Sequence, residues 1–178
     1  MIMTSTFKRT ASRISVGVAS LALLAGCAAQ TPADTNSTPT VSTTPTVAES
    51  IVYSNTLYGF TFTLPMDWKG FTVVNDSWKG TDTTTNKTVQ TGSLILIRNP
   101  KWTAAKKYQD IPIMVFTIGQ WDSMMRQEYS VGAAPIPPSE LARNAQFVFA
   151  LPARYNYAFP EGYKEVDEIL QGIPLHTS

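Results

Sequence analysis

The chain has 178 residues, of which 43% are hydrophobic and 15% charged, enough for a single hydrophobic core once its polar and targeting segments are set aside. A formal net charge of +1, without a clustered basic face, excludes the electrostatic footprint of a nucleic-acid binder. One cysteine and one histidine exclude a disulfide framework, and leave too few soft ligands for a structural zinc site.

The N-terminal segment carries Lys8, Arg9 and Arg13, then an apolar run over residues 14–24, then Leu24-Ala25-Gly26-Cys27. A run of about 11 residues is too short to span a bilayer, which takes roughly 20, and suits the apolar region of a signal peptide. The four closing residues resemble the lipobox of bacterial lipoproteins. That resemblance implies removal of residues 1–26 as a signal peptide and attachment of a diacylglyceryl group to the sulfur of Cys27. Two acyl chains anchor stably where a single one binds only marginally. The membrane is then a partner through the lipid, and the protein lies on its extracytoplasmic face. With Ala28 in place of an Asp that would retain it, a Gram-negative host would send it to the outer membrane. The Thr/Pro-rich spacer suits the outer face of a Gram-positive membrane equally. Without Lys8, Arg9 and Arg13 the fourteen basic residues become eleven against thirteen acidic ones, a net charge of −2.

Residues 27–50 form the expected tether. From Ala28 onward it is Thr, Ser, Pro and Ala with no aromatic residue, and such a composition cannot bury enough surface to offset the entropy of ordering. Extended, it reaches at most about 75 Å, and as a coil about 25–30 Å.

Residues 51–178 are expected to form one globular domain. Residues 51–53 begin a short strand. Residues 58–64 alternate aromatic or aliphatic with Thr up to Pro65, the pattern of a half-buried strand. Residues 65–70 read as a turn, 71–78 as a strand, and 80–88 as a polar loop. SLILIR at 93–98, IPIMVFTI at 111–118 and FVFAL at 147–151 read as buried strands. Trp121, Met124, Met125 and Glu128 recur at helical spacing over 119–129. Residues 139–143 read as a short helical turn capped by Ser139. Tyr163, Val166, Ile169 and Leu170 fall on one face of a helix over 161–170, stopped by Gly172. The class is α+β, a mainly antiparallel sheet flanked by helices.

The stretch Tyr58-Gly59-Phe60-Thr61-Phe62-Thr63-Leu64-Pro65-Met66-Asp67-Trp68 resembles the opening of the PsbP/Mog1-like families. The segments at 109–116 and 149–156 look more like small bacterial lipoproteins without an assigned activity. The resemblance implies an α/β/α sandwich, and a role in binding or assembly rather than catalysis.

Candidate sites follow from side-chain chemistry. Arg98, Arg126, Arg143 and Arg154 flank apolar segments, and Arg154 precedes Tyr155, Asn156 and Tyr157, a constellation found at interfaces. The favoured binding surface is therefore Arg143, Arg154, Tyr155 and Tyr157, with the apolar Pro/Gly-rich loop at 130–138. Its partner would be a protein or another envelope component. Asp67 and Asp110 are the carboxylates of an alternative, a hydrolase of envelope polymers. A small-ligand or metal binder is a third reading. Glu161, Glu165, Asp167 and Glu168 lack EF-hand spacing and read as a solvated helix face. His176 lies near the chain end, where mobility makes a poor general base. No cofactor is expected.

Overall fold

A computed structural model describes residues 49–133 and 135–178. The signal segment, Cys27 and all but the last two residues of the expected tether lie outside these, as does Ala134 in the Pro-rich loop.

The described residues are α+β, with nine strands and two helices. A small antiparallel sheet is made by β1 (Ser50–Asn55), β2 (Phe60–Pro65) and β9 (Leu175–Thr177), in the order β1-β2-β9. A larger one contains β3 (Thr72–Thr81), β4 (Thr88–Arg98), β5 (Ile111–Thr117), β6 (Ser130–Val131), β7 (Ser139–Arg143) and β8 (Phe147–Leu151). Its order is β6-β3-β4-β5-β8-β7, antiparallel throughout. The helices are α1 (Ile118–Met125) and α2 (Tyr163–Gln171).

Successive strand residues point to opposite faces, and β5 shows why IPIMVF reads as a continuous apolar run: all six of its residues are buried. Ile111, Ile113 and Val115 enter an inner core with Ile95, Ile97 and Phe149. That core is closed from the other side by Phe60, Phe62 and Leu64 of β2, Leu175 of β9, and Val166, Ile169 and Leu170 of α2. Met114 and Phe116 face the opposite way, into an outer core with Trp78, Val148, Ala150 and the α1 residues Trp121 and Met124. The large sheet is thus covered on one face by the small sheet and α2, and on part of the other by α1.

Three expectations are corrected. Residues 139–143 form no helical turn; they pair with β8, with a bulge between Glu140 and Ala142. Five residues gain too few intrahelical bonds to repay nucleation, whereas the exposed ladder of β8 offers partners at once, and the bulge lets both Leu141 and Ala142 pack on the inner core. His176 does not lie in a frayed end but in β9, opposite Thr61. The polar loop is shorter than expected, because β3 runs to Thr81 and β4 starts at Thr88. Gly172 follows the last residue of α2 as expected, as its cap at φ −73°, and the chain turns left-handed one residue later, at Ile173, φ +51°.

Candidate binding surface

The outer face of the large sheet carries its aromatics flat because two glycines make room. Trp78 crosses over Gly92, its partner on β4; a Cβ at Gly92 would lie 2.4 Å from the indole. The ring donates Nε1–H to the Val115 carbonyl at 2.8 Å and stacks on Phe116, centroids 4.3 Å apart. Tyr129 lies in the same way over Gly80, where a Cβ would come within 2.4 Å of its ring. Its hydroxyl donates to the Gln120 carbonyl at 2.7 Å. Burial, and then the charge of Glu128, push this phenol up to about 12.

Beside these rings the loop at 132–138 splits the surface into two hollows. The first, about 260 Å³, has Trp78, Leu94 and Met114 among its lining, with Pro138 on one side and Pro152 and Ala153 on the other. Lys79 is its only charged lining residue. The second, about 400 Å³, lies against α1 with Met124, Met125, Tyr129 and Ile136 in its wall, and no charged side chain lines it. Val131 and Pro138 belong to both. Pro138 is buried while Pro135, Ile136 and Pro137 are exposed, so the loop is pinned at one point and presents apolar side chains elsewhere. Concave, mostly apolar surface with few polar groups is the usual form of a binding site.

The chain that leaves the first hollow at Pro152 carries most of the expected surface residues, and the structure separates them. Arg154 and Tyr157 are exposed and adjacent, with the guanidinium 5.8 Å from the Tyr157 ring centroid. Tyr157 is 71% and Phe159 67% exposed. Tyr155 is instead turned toward the inner core. Its hydroxyl donates to Asp167, which also accepts from Asn156 Nδ2 at 3.1 Å. Burial and then this bond raise its pKa. Arg143 stands apart: it lies opposite Val148, at the end of the β7–β8 pair away from Leu151, and pairs with Glu140. Of the expected four residues the structure brings together Arg154 and Tyr157, while Phe159 packs edge-on against Tyr163 of α2, ring centroids 5.2 Å apart. Sequence reading missed Trp78, Leu94 and Met114 as a floor; Gly92 within a strand pattern was the available sign of a close approach.

The alternative carboxylates occupy unlike settings. Asp110 is structural: it accepts from Arg98 Nε at 3.2 Å and from the Asn99 backbone at 3.1 Å. Asp67 borders a cleft of about 570 Å³ together with Glu49, Glu165, Glu168 and His176. Glu165 there accepts from the indole of the fully buried Trp68 at 2.9 Å, and Lys101 lies 3.7 Å from its other oxygen. Glu161 bonds Lys106 and Tyr108, which hold its carboxyl below the usual range. Among the described residues no three His, Asp or Glu side chains come together as a metal-binding group, and no helix is long and apolar enough to cross a membrane.

Compared with protein-family models, curated proteins and solved structures, the chain matches none.

Proposed function

We propose that this chain is a lipid-anchored, extracytoplasmic binding module that engages an apolar segment of an envelope partner through the two hollows beside the 132–138 loop. The observation that carries the reading is a pair of adjacent, mostly apolar hollows, one floored by Trp78, Leu94 and Met114 and the other walled by Met125 and Ile136, with Lys79 the one charged residue among those that line them. Exposed Tyr157, beside Arg154 on the chain that leaves the first hollow at Pro152 and Ala153, adds an aromatic and Arg pair of the kind on which binding energy concentrates. The anchoring half rests on the lipobox-like Leu24-Ala25-Gly26-Cys27 behind an apolar run. The PsbP/Mog1-like part of the reading is supported by helices on opposite faces of an antiparallel sheet, α2 with the inner core and α1 with the outer.

Each half has its own test. Cys27→Ser should release the protein from membrane fractions or leave it unprocessed; normal retention would refute anchoring. Ile136→Asp places a charge on an exposed residue of the second hollow, so folding is spared. Crosslinked pull-downs from detergent-solubilised membranes should recover a specific partner with the unmodified chain and lose it with Ile136→Asp. Equal recovery from both would remove these hollows from the function.

The acidic cleft supports a second reading, a carboxylate-dependent hydrolase, with Asp67 among the acids that line it. Activity on cell-wall fractions that disappears in Asp67→Asn would reverse the ranking.

A further inference from the structure

Among the described residues the small sheet ends in an unpaired edge, β1. Thr63 donates its N–H to the Pro174 carbonyl at 2.9 Å, on the β9 side of β2. Thr63 stands opposite Val52 in the β1–β2 pair. A residue in an antiparallel strand directs its N–H and C=O to one side, so this pair is of the non-hydrogen-bonded kind and Val52 points both groups away from β2. Ser50 and Ser54, two residues to either side, do the same. No backbone hydrogen bond among the described residues takes up any of these six groups, and no described strand lies on that side.

Edges of this kind are ordinarily blunted by charge, proline or a bulge. The outer edge of β3 follows that rule: Asp76 and Lys79 are exposed on it, and the Asp76 carboxylate takes the Ser77 N–H at 2.7 Å. β1, Ser-Ile-Val-Tyr-Ser-Asn, has no charge and no proline, and its register with β2 is unbroken. Val52 is 58% exposed.

The strand is complementary to itself. We propose that β1 pairs antiparallel with β1 of a second copy of this chain, about a two-fold axis at Val52, giving a continuous sheet in the order β9-β2-β1-β1-β2-β9. In this register Ser50 faces Ser54 and Val52 faces its own copy, and these are the residues with free backbone groups, so all six are satisfied on each chain. On the inner side Ile51 meets Tyr53, two half-buried apolar residues. The nearest charge, Glu49, falls opposite the neutral Asn55. A register one residue away would set the outward-pointing groups of one strand against the inward-pointing groups of the other.

The chain beyond the strand permits the arrangement. The two Glu49 residues would sit at opposite ends of the paired strands, roughly 20 Å apart at 3.3 Å per residue. The segment at 27–48 can span this from one membrane, since its extended reach is about 70 Å. One edge pairing buries little surface, so affinity in dilute solution is low. Anchoring both copies in one membrane raises their effective concentration; the pairing itself does not depend on the anchor.

Val52→Cys tests the register directly in the full-length chain, in membranes or detergent. Paired residues that exchange hydrogen bonds have Cα atoms about 5.5 Å apart, within disulfide range. Mild oxidation should yield a crosslinked dimer of twice the chain mass. The unmodified chain, with Cys27 alone, should not crosslink, and neither should Val89→Cys, at a valine of β4 that is 50% exposed. Val52→Lys should be monomeric by sedimentation at concentrations where the unmodified chain self-associates, with an unchanged circular dichroism spectrum. Crosslinking of Val52→Cys no greater than of Val89→Cys, or only to a protein of other mass, overturns the proposal. So does self-association that Val52→Lys leaves intact. Should Val52→Lys fail to fold, the cysteine variants decide alone.

Discussion

Glycine in a strand interior is ordinarily a weakness, yet Gly92 and Gly80 are what let Trp78 and Tyr129 lie down on the sheet. Alanine at position 92 would meet the indole at 2.4 Å. The ring must then tilt off Phe116 and give up its bond to the Val115 carbonyl, an overpacking cost of about 1–3 kcal/mol. Gly92→Ala should lower the denaturation midpoint accordingly and quench or shift tryptophan fluorescence. A variant as stable as the parent would show that the indole has room to move. Tyr129 makes a pH-dependent contribution as well. Its folded pKa is raised from 10.0 to about 12, so its share of stability is whole below pH 10 and is lost as pH rises from there through about 12. Denaturant midpoints should fall across that window, in step with phenolate absorbance, and fall less in Tyr129→Phe. A midpoint flat from pH 10 to 12 would contradict the burial assigned to this hydroxyl.

At the level of elements, one side chain ties the two sheets together. Asn144, in the turn between β7 and β8, accepts the Gln146 and Phe147 N–H groups at 3.0 and 2.8 Å and donates to the Tyr58 carbonyl at 2.9 Å. It shapes one hairpin and fastens it to the next. Asn144→Ala removes these bonds, and a longer one to the Gly59 carbonyl at 3.4 Å, and leaves backbone groups without partners, which should cost about 1–3 kcal/mol and loosen β1–β2 first, as hydrogen exchange would report. Uniform exchange across both sheets would mean that the link is not the fastening. Much of this element map was legible. The Thr-alternating pattern of β2 and the apolar runs of β5 and β8 follow from a period of two and from burial on both faces. The face of α2 follows from Val166, Ile169 and Leu170. What escaped was set by partners. Ser139–Arg143 is a strand because β8 lies beside it, and Ser130–Val131 and Leu175–Thr177 are strands because Gly80–Thr81 and Phe60–Phe62 offer them ladders. Thr117 and Gln120 did carry a local signal: they form a reciprocal cap that starts α1 at Ile118. Of the candidate surface, the neighbourhood of Arg154 and Tyr157 was legible, whereas Tyr155, two residues from Tyr157, is claimed by Asp167, a partner distant in sequence.

Across the whole described chain, the inner and outer cores share β5 and its neighbours β4 and β8, so a disturbance on either face reaches the other through strands with residues in both. Asp67, Glu168 and Glu49 gather by the C-terminal half of α2, where the described residues begin. The aromatic loop enters α2 at its other end, about 13 Å away along a helix of nine residues. Glu49 therefore lies by the opposite end of α2 from the loop that bears Tyr157 and Phe159. The pairing of β2 with β9 adds a consequence in time. Phe62 lies opposite Leu175, so the small sheet is finished only when a loop on the order of a hundred residues has closed, a non-local event that slows folding. Until then Phe60, Phe62 and Leu64 have only part of their cover. A chain whose small sheet joins such distant segments stays threadable for longer after synthesis, which suits the export proposed above, since a translocated polypeptide is threaded before it folds.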